Sequence, residues 1–254
     1  MKIISVTQAR TGSTRLPNKV LMEVQGVSLL EMHFRRLFKC TRIDEFVLAT
    51  SVLPNDAKLK MVADKLGINF FQGDENNVLD RFYQAVKDMK PDYVVRLTAD
   101  CPLIDPSLVD AIIEFTIENN LDYGTNTLVE NYPDGQDVEV FTFKALEKAW
   151  REATKDSEKE HVTPYIKNNS TFLGKSLFKS NNYSKTEKYS SLRMTVDEKE
   201  DFLLIEKLVQ NLGCEQSWQV YADFMLSEKL NFNTHIKRNE GYFKSLKKDL
   251  ENDK

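Results

Sequence analysis

The sequence predicts an α/β fold: a doubly wound, mostly parallel sheet followed by a helical C-terminal segment. Three observations carry that expectation. Short apolar runs alternate with helical periodicities through the first half of the chain, the pattern of parallel strands joined by crossover helices. At 254 residues the chain is long enough for one large domain of this kind. Its composition, 41% hydrophobic and 29% charged with 9 glycines and 7 prolines, is that of a globular protein rather than a disordered or fibrous one.

Taken in order, strands are expected at Ile3 to Val6, Phe46 to Ala49, Asn69 to Phe71 and Tyr93 to Leu97, short apolar runs that suit buried parallel strands. Between them, Leu29 to Phe38, Asp56 to Leu66 and Val78 to Met89 carry apolar residues at helical spacing. Ser107 to Glu118 follows Asp105-Pro106, a cap residue and a helix-starting proline. In the second half, Asp137 to Phe143 alternates like a strand and Lys144 to Thr154 reads as a helix. Leu192 to Val196 is a further strand candidate feeding a helix from Glu200 to Leu212. From Trp218 onward the pattern is helical, and residues 237–254 hold six basic and four acidic side chains, as in a solvated helical face. The expected organisation is an α/β domain over 1–217 with a helical extension, 218–254, packed on it.

Charge and cysteine usage exclude several classes of function. Thirty-five Lys and Arg against 39 Asp and Glu leave a net charge of −4, without the basic footprint of a nucleic-acid binder. No apolar run approaches the roughly 18–20 residues that span a membrane, and the opening MKIISVTQAR turns polar too soon for a signal peptide. The expectation is a cytoplasmic protein without membrane insertion. Cys40, Cys101 and Cys214 are scattered and odd in number, which suits buried thiols rather than a disulfide framework or a zinc site. His33, His161 and His235 are likewise too dispersed for zinc.

The densest chemical signal follows the first strand. Residues 8–19, QARTGSTRLPNK, place Arg10, Arg15 and Lys19, the hydroxyls of Thr11, Ser13 and Thr14, and Gly12 in one loop. The loop lies at the carboxyl edge of the sheet, where α/β folds bind ligands. Charge-assisted donors and close backbone approach are what polyphosphate oxygens require. The loop is neither a GxxxxGK[ST] P-loop nor a GxGxxG fingerprint, and a polar connection paired with surface acids is the alternative. Asp100, just beyond the fourth strand, is free for a ligand because Asp105 is better placed to cap the next helix. Asp197 and Glu200 stand close to capping-box spacing, so Asp197 reads equally as a cap or a ligand. Arg81 at a helix start reads as a surface ion pair, Arg96 as a strand-end charge, and Glu160-His161 as the opening of a helix.

QARTGSTRLPNKVL (8–21) resembles the signature loop of the cytidylyltransferases that make CMP-activated acidic sugars, the CMP-Kdo and CMP-sialic acid synthetases. Within that group it is most similar to the spore-coat polysaccharide biosynthesis protein F branch. The likeness recurs at RLTADCPLIDP (96–106), DGQDVEVF (134–141), EHVTPYI (160–166), LRMTVDEKEDF (192–202) and HIKRNEGYFKSL (235–246), and so spans nearly the whole chain. One departure is Asn18, where the family usually has glycine; asparagine is the non-glycine residue that best tolerates positive φ.

The resemblance implies a Rossmann-like sheet of the nucleotidyltransferase type. It also implies transfer of CMP from CTP to an acidic sugar or sugar-phosphate-like acceptor, with Mg²⁺ as cofactor and a homodimer as the assembly. Another nucleoside triphosphate, a sugar 1-phosphate acceptor, or an inactive nucleotide-binding protein of a polysaccharide pathway are the alternatives. Carried over by position, Arg10, Lys19 and Asp100 would be catalytic. Ala9, Arg10, Gly12, Ser13, Thr14, Arg15, Lys19, Arg81, Arg96 and Thr98 would bind the nucleotide, with Arg10, Arg15 and Lys19 on the β- and γ-phosphates. Asp100 and Asp197 would hold the metal. Glu160, His161 and Arg193 would meet the acceptor, with Lys167 and Tyr165 as further candidates for its carboxylate.

Overall fold

The computed structural model describes residues 1–184 and 189–252. Its strands are β1 (Ile3–Gln8), β2 (Glu23–Val24), β3 (Val27–Ser28), β4 (Glu45–Ser51), β5 (Asn69–Gly73), β6 (Tyr93–Thr98), β7 (Tyr123–Thr125), β8 (Glu139–Thr142) and β9 (Ser180–Asn182). Its helices are α1 (Leu29–Leu37), α2 (Lys58–Leu66), α3 (Val78–Val86), α4 (Pro106–Glu118), α5 (Phe143–Glu152), α6 (Asp156–His161), α7 (Pro164–Asn168), α8 (Lys199–Leu212), α9 (Trp218–Ser227) and α10 (Glu240–Asn252).

Seven strands form one sheet in the order β5-β4-β1-β6-β8-β7-β9, while β2 and β3 make a separate hairpin. The strands β5, β4, β1 and β6 run parallel, β8 is antiparallel to both β6 and β7, and β9 is parallel to β7. Period-2 alternation divides the core between the two faces. Ile3, Leu48, Val95 and Leu97 pack on one side with α1, α2, α4, α8 and α9. Ile4, Val6, Val47, Ala49 and Val94 pack on the other with α3, α5 and α7. Both faces are covered, which explains why these strands read as continuous apolar runs.

The cap expected at Asp105 forms, and three further helices are capped by side chains. The Ser28 side chain accepts from Glu31 N–H, Asn77 from Asp80, Thr142 from Ala145, and Asp105 from Ser107 and Leu108. Three expectations are corrected. Leu192–Val196 is no strand: apart from an isolated bridge between Asp134 and Arg193, it bonds to loops, Met194 N–H to Asp134 O and Val196 N–H to Asp100 O. Helix does not continue from Trp218 to the end, because α9 stops at Ser227 and 228–239 is irregular. Glu160 and His161 close α6 instead of opening a helix. The strands β2, β3, β7 and β9, at two or three residues, are too short to show periodicity. Of the expected extension, α9 contributes Trp218, Tyr221, Ala222 and Met225 to the main core, and α10 packs on α6; residues 253–254 lie outside the described residues.

Gly135 is required where the 192–196 segment meets the sheet. Its φ is +101°, and a Cβ there would stand 2.6 Å from both the Met194 carbonyl carbon and the Thr195 nitrogen. Gly135→Ala is expected to destabilise the fold by about 2–4 kcal/mol, combining left-handed strain with an unyielding backbone clash. Urea titration reads this, and a loss below about 0.5 kcal/mol, the range of neutral surface changes, would contradict it.

Candidate active site

The register of β1 and β6 decides where the chemistry-bearing side chains emerge. Gln8 and Thr98 are partners in this parallel pair, and Ala99 N–H donates to the Gln8 carbonyl at 3.0 Å. Arg10 and Asp100, each two residues further on, therefore leave the carboxyl edge of the sheet beside one another. They open onto a cavity of about 950 Å³.

The loop after β1 is clamped from below. Asp56, fully buried, accepts from Thr11 N–H at 2.6 Å, from the Thr11 hydroxyl at 2.7 Å and from the Ser51 hydroxyl at 2.5 Å. Burial pushes the Asp56 carboxyl up, but these hydrogen bonds prevail and hold it below its ordinary range. The Thr11 carbonyl in turn accepts from Ser13 and Asn18 N–H, both at 3.0 Å. Asn18 sits at φ 58°, ψ 20°, the left-handed conformation that glycine would take, and starts the short 3₁₀ turn Lys19–Leu21. Gly12 has no left-handed φ, and its Cβ position is open. Neither Gly12 nor Thr11 lines the cavity, whereas Ala9, Arg10, Ser13, Thr14 and Arg15 do.

Lys19 is where the distant motifs meet. Its ammonium donates to Asp100 Oδ2 at 2.8 Å, Asp197 Oδ1 at 2.8 Å and the Val196 carbonyl at 2.7 Å. All three donors are engaged, so Lys19 holds the two carboxylates together, and the phosphate contact expected of it is not among these bonds. Burial opposes its charge, yet Asp100 and Asp197 outweigh it and raise the Lys19 pKa. Asp197 arrives at this position because Val196 N–H is bonded to Asp100 O, which fixes the next residue beside Asp100. The expected cap at Asp197 falls elsewhere, since Asp201 accepts from the N–H groups of both Asp197 and Glu198.

Arg193 steadies the far side of Asp197. Its side chain is 5% exposed and donates to Asp201 Oδ1 at 2.9 Å, to Asp197 Oδ2 at 2.7 Å and to Asp134. With its fork engaged by three carboxylates, Arg193 supports Asp197, and it also lines the cavity in which its acceptor contact is expected. Arg15 adds a contact to Asp197 at 3.1 Å and one to Glu198 at 3.2 Å. Burial pulls the Asp197 carboxyl up, but Lys19, Arg15 and Arg193 hold it far below the usual range. Asp134 behaves oppositely. Burial and neighbouring Asp137 push it up to about 7 against Arg238 and Arg193.

Arg81 is 3% exposed rather than a surface ion-pair partner, and its Nε and Nη1 are buried without a hydrogen bond. It lines the cavity, as do Arg96 and Thr98. Arg96 is paired to Glu139, which also accepts from Tyr123 at 2.5 Å and Thr163 at 2.6 Å. His161 shares Ser245 with Glu160: the Ser245 hydroxyl donates to Glu160 at 2.5 Å and lies 3.2 Å from His161 Nε2. Burial lowers the His161 pKa to about 4, so its ring is neutral at neutral pH. Tyr165 bonds to Glu152, and Lys167 reaches the cavity wall.

Several contributors carried no sequence signal. Asp56 and Glu139 act across 45 and 43 residues respectively. Asp201 stands four residues after Asp197 at a helix start, and that spacing is the one local cue. For Mg²⁺, the donor set fits: Asp100 and Asp197 converge on one cation, Lys19, and their side chains are 26% and 25% exposed. Mg²⁺ takes one or two carboxylates and completes its shell with water and phosphate. Among the described residues no cluster of three or more His, Cys, Asp or Glu makes a closed cage.

A parallel sheet with a cationic loop and two carboxylates at its switch point defines a nucleotidyl-transfer site. The cytidylyltransferase family model matches residues 4–229. A protein of Methanocaldococcus jannaschii is 41% identical over 82% of this chain and 83% of its own. The spore coat polysaccharide biosynthesis protein SpsF of Bacillus subtilis is 35% identical over 83% of this chain and 88% of its own. A cytidylyltransferase from Leptospira borgpetersenii superposes with a TM-score of 0.86 at 30% identity, covering 94% of this chain and all of that one. The chain belongs to the cytidylyltransferase family and is a CTP-dependent nucleotidyltransferase. Among the described residues no helix is long and apolar enough to cross a membrane.

The depressed Asp197 pKa makes stability depend on acid. A carboxyl whose folded pKa lies below its unfolded value of about 4 stabilises above that pH and loses the contribution as pH falls. From pH 5 to 3, wild type should therefore lose stability more steeply than Asp197→Asn in urea titrations. Parallel profiles would contradict the assignment.

Proposed function

We propose that the protein transfers CMP from CTP to a sugar bearing a carboxylate, with release of pyrophosphate, in the synthesis of a surface polysaccharide or glycan. One observation carries the site assignment: a single ammonium bonded to both Asp100 and Asp197 beside a clamped cationic loop. The acceptor class is supported by the motif resemblance and by the polysaccharide role named for the SpsF relative.

In this reading a hydroxyl oxygen of the acceptor attacks the α-phosphorus in line. The bond from that phosphorus to the β-bridging oxygen breaks, pyrophosphate leaves with the electron pair, and the hydroxyl proton passes to solvent. Little covalent chemistry falls to the protein, so positioning and charge neutralisation dominate. Arg10 and Arg15, with Ala9, Ser13 and Thr14 of the same loop, hold the triphosphate. Arg81 offers buried, unsatisfied donors to the same anion. Arg96 and Thr98 line the nucleotide side of the cavity. Asp100 and Asp197 are the residues that would hold Mg²⁺, which when bound supplies Lewis-acid polarisation of the phosphate oxygens. Lys19 is a positioning residue that keeps the two carboxylates convergent. Glu160 and neutral His161 face the acceptor. The enzyme is taken to be a cytoplasmic homodimer, whose mass by light scattering is the check.

With Mg²⁺ and a panel of 2-keto sugar acids, pyrophosphate release should occur with CTP and not with ATP, GTP or UTP. Lys19→Ala should lower kcat/KM by about 10²–10³-fold, the cost of losing one preorganised electrostatic group. A loss within a fewfold would refute the role given to the Lys19 clasp, and release with another triphosphate would refute the CTP reading.

A further inference from the structure

The family model ends at residue 229, yet the chain beyond it is wired into the site. Buried Asn233 donates to the Arg193 carbonyl at 3.1 Å and to Asp201 Oδ1 at 2.9 Å. Arg238 is paired to Asp137 and donates to the Tyr132 carbonyl at 3.2 Å. Glu240 stands 3.9 Å from Arg15.

The helix α10 is seated by polar groups. Ser245 and Asp249, both buried, meet α6: Ser245 at Glu160 and His161, and Asp249 at the Ser157 N–H at 3.3 Å. A Cβ on Gly241 would come within 3.9 Å of the His161 ring. Two of its large apolar side chains turn outward, Phe243 62% and Leu250 64% exposed, while Tyr242 packs edge-on against His161. A helix whose purpose was core burial would present the opposite face.

This docking brings Lys248, one turn from Ser245, to the cavity wall together with Lys159 of α6 and Lys167 of α7. None of the three has an ion-pair partner among the described residues. Buried Ser245 also donates to Glu160, so that carboxylate on the cavity wall already has a hydrogen-bond donor. Unpaired lysines on a cavity wall are an opening for an anion, and the triphosphate is served by the arginines of the β1 loop and Arg81.

We propose that residues 233–252 form the acceptor-side wall of the active site, and that Lys248 and Lys159 there bind the carboxylate of the acceptor sugar. The inference rests on the acidic-acceptor reading above and extends recognition from Lys159, inside the family model, to Lys248, beyond its end. Lysine suits the task, since a carboxylate can be met by a flexible point charge without the planar fork of arginine.

The test is isothermal titration of the full-length enzyme, loaded with Mg²⁺ and the unreactive analogue α,β-methylene-CTP, with N-acetylneuraminate and 3-deoxy-manno-octulosonate as carboxylate probes and glucose as the neutral control. Wild type should bind a sugar acid and not glucose. Lys248→Glu and the double variant Lys159→Ala/Lys248→Ala should weaken that binding at least tenfold, while the CTP Kd and the melting temperature stay at wild-type values. Unchanged affinity in these variants overturns the inference. So does a wild type that binds CTP but neither sugar acid, an outcome that leaves the nucleotide reading standing. A wild type that fails to bind CTP instead overturns the proposed function, and the inference with it.

Discussion

Lys19 Nζ, enclosed by Asp100, Asp197 and the Val196 carbonyl, joins three stretches of chain that the sheet alone leaves apart: the β1 loop, the end of β6 and the segment before α8. Two carboxylates held so close would repel one another and turn outward in a lower-dielectric cleft. The ammonium reverses that balance. Its own burial is tolerated because each of its three donors is matched, as a buried charge requires. Arg193, anchored by Asp134 and Asp201, then fixes the outer oxygen of Asp197. The result is a pair of carboxylates held together on the cavity wall before any substrate arrives, the preorganisation that electrostatic catalysis depends on.

The same chain of charges carries the constraint outward. Asp134 joins Arg193 to the surroundings of Arg238, and Arg238 belongs to the C-terminal segment. Backbone geometry supports this network at its narrowest point. Gly135 lies directly against the backbone of Met194 and Thr195, so no side chain fits between the turn and the segment that delivers Asp197. The irregular second half of the molecule is therefore an arm that returns to the carboxyl edge of the sheet.

Much of the fold was legible in the sequence, for a physical reason. The strands β1, β4 and β6 and the helices that cover them bury continuous apolar surface, so their composition declares them, while the half-buried edge strand β5 shows only Phe70 and Phe71. The cap at Asp105 was equally readable because its partners are two and three residues away. Leu192–Val196 misled because an extended apolar stretch looks the same whether it bonds to a strand or, as here, to two loops. The site was legible in its residues but not in their partnerships. The resemblance pointed to Lys19, Asp100 and Asp197, yet the Lys19 donors go to acceptors 81 and 178 residues distant. Nothing local revealed that they were already spent. Of the carboxylates on Arg193, Asp197 and Asp201 are near in sequence, whereas Asp134 lies 59 residues away. Asn18 shows the opposite case, a local departure whose tolerance of positive φ could be read from its chemistry and is found in the structure.

The central claim is that Asp100 and Asp197 form one cation-binding pair next to the β1 loop, organised by Lys19. It is tested most directly by a crystal structure with CTP and Mn²⁺, using anomalous scattering to locate the metal. The account predicts one strong anomalous peak within coordination distance of both carboxylates, with the triphosphate on the Arg10–Arg15 loop. A metal held away from either aspartate, or a triphosphate bound at another edge of the sheet, would contradict it.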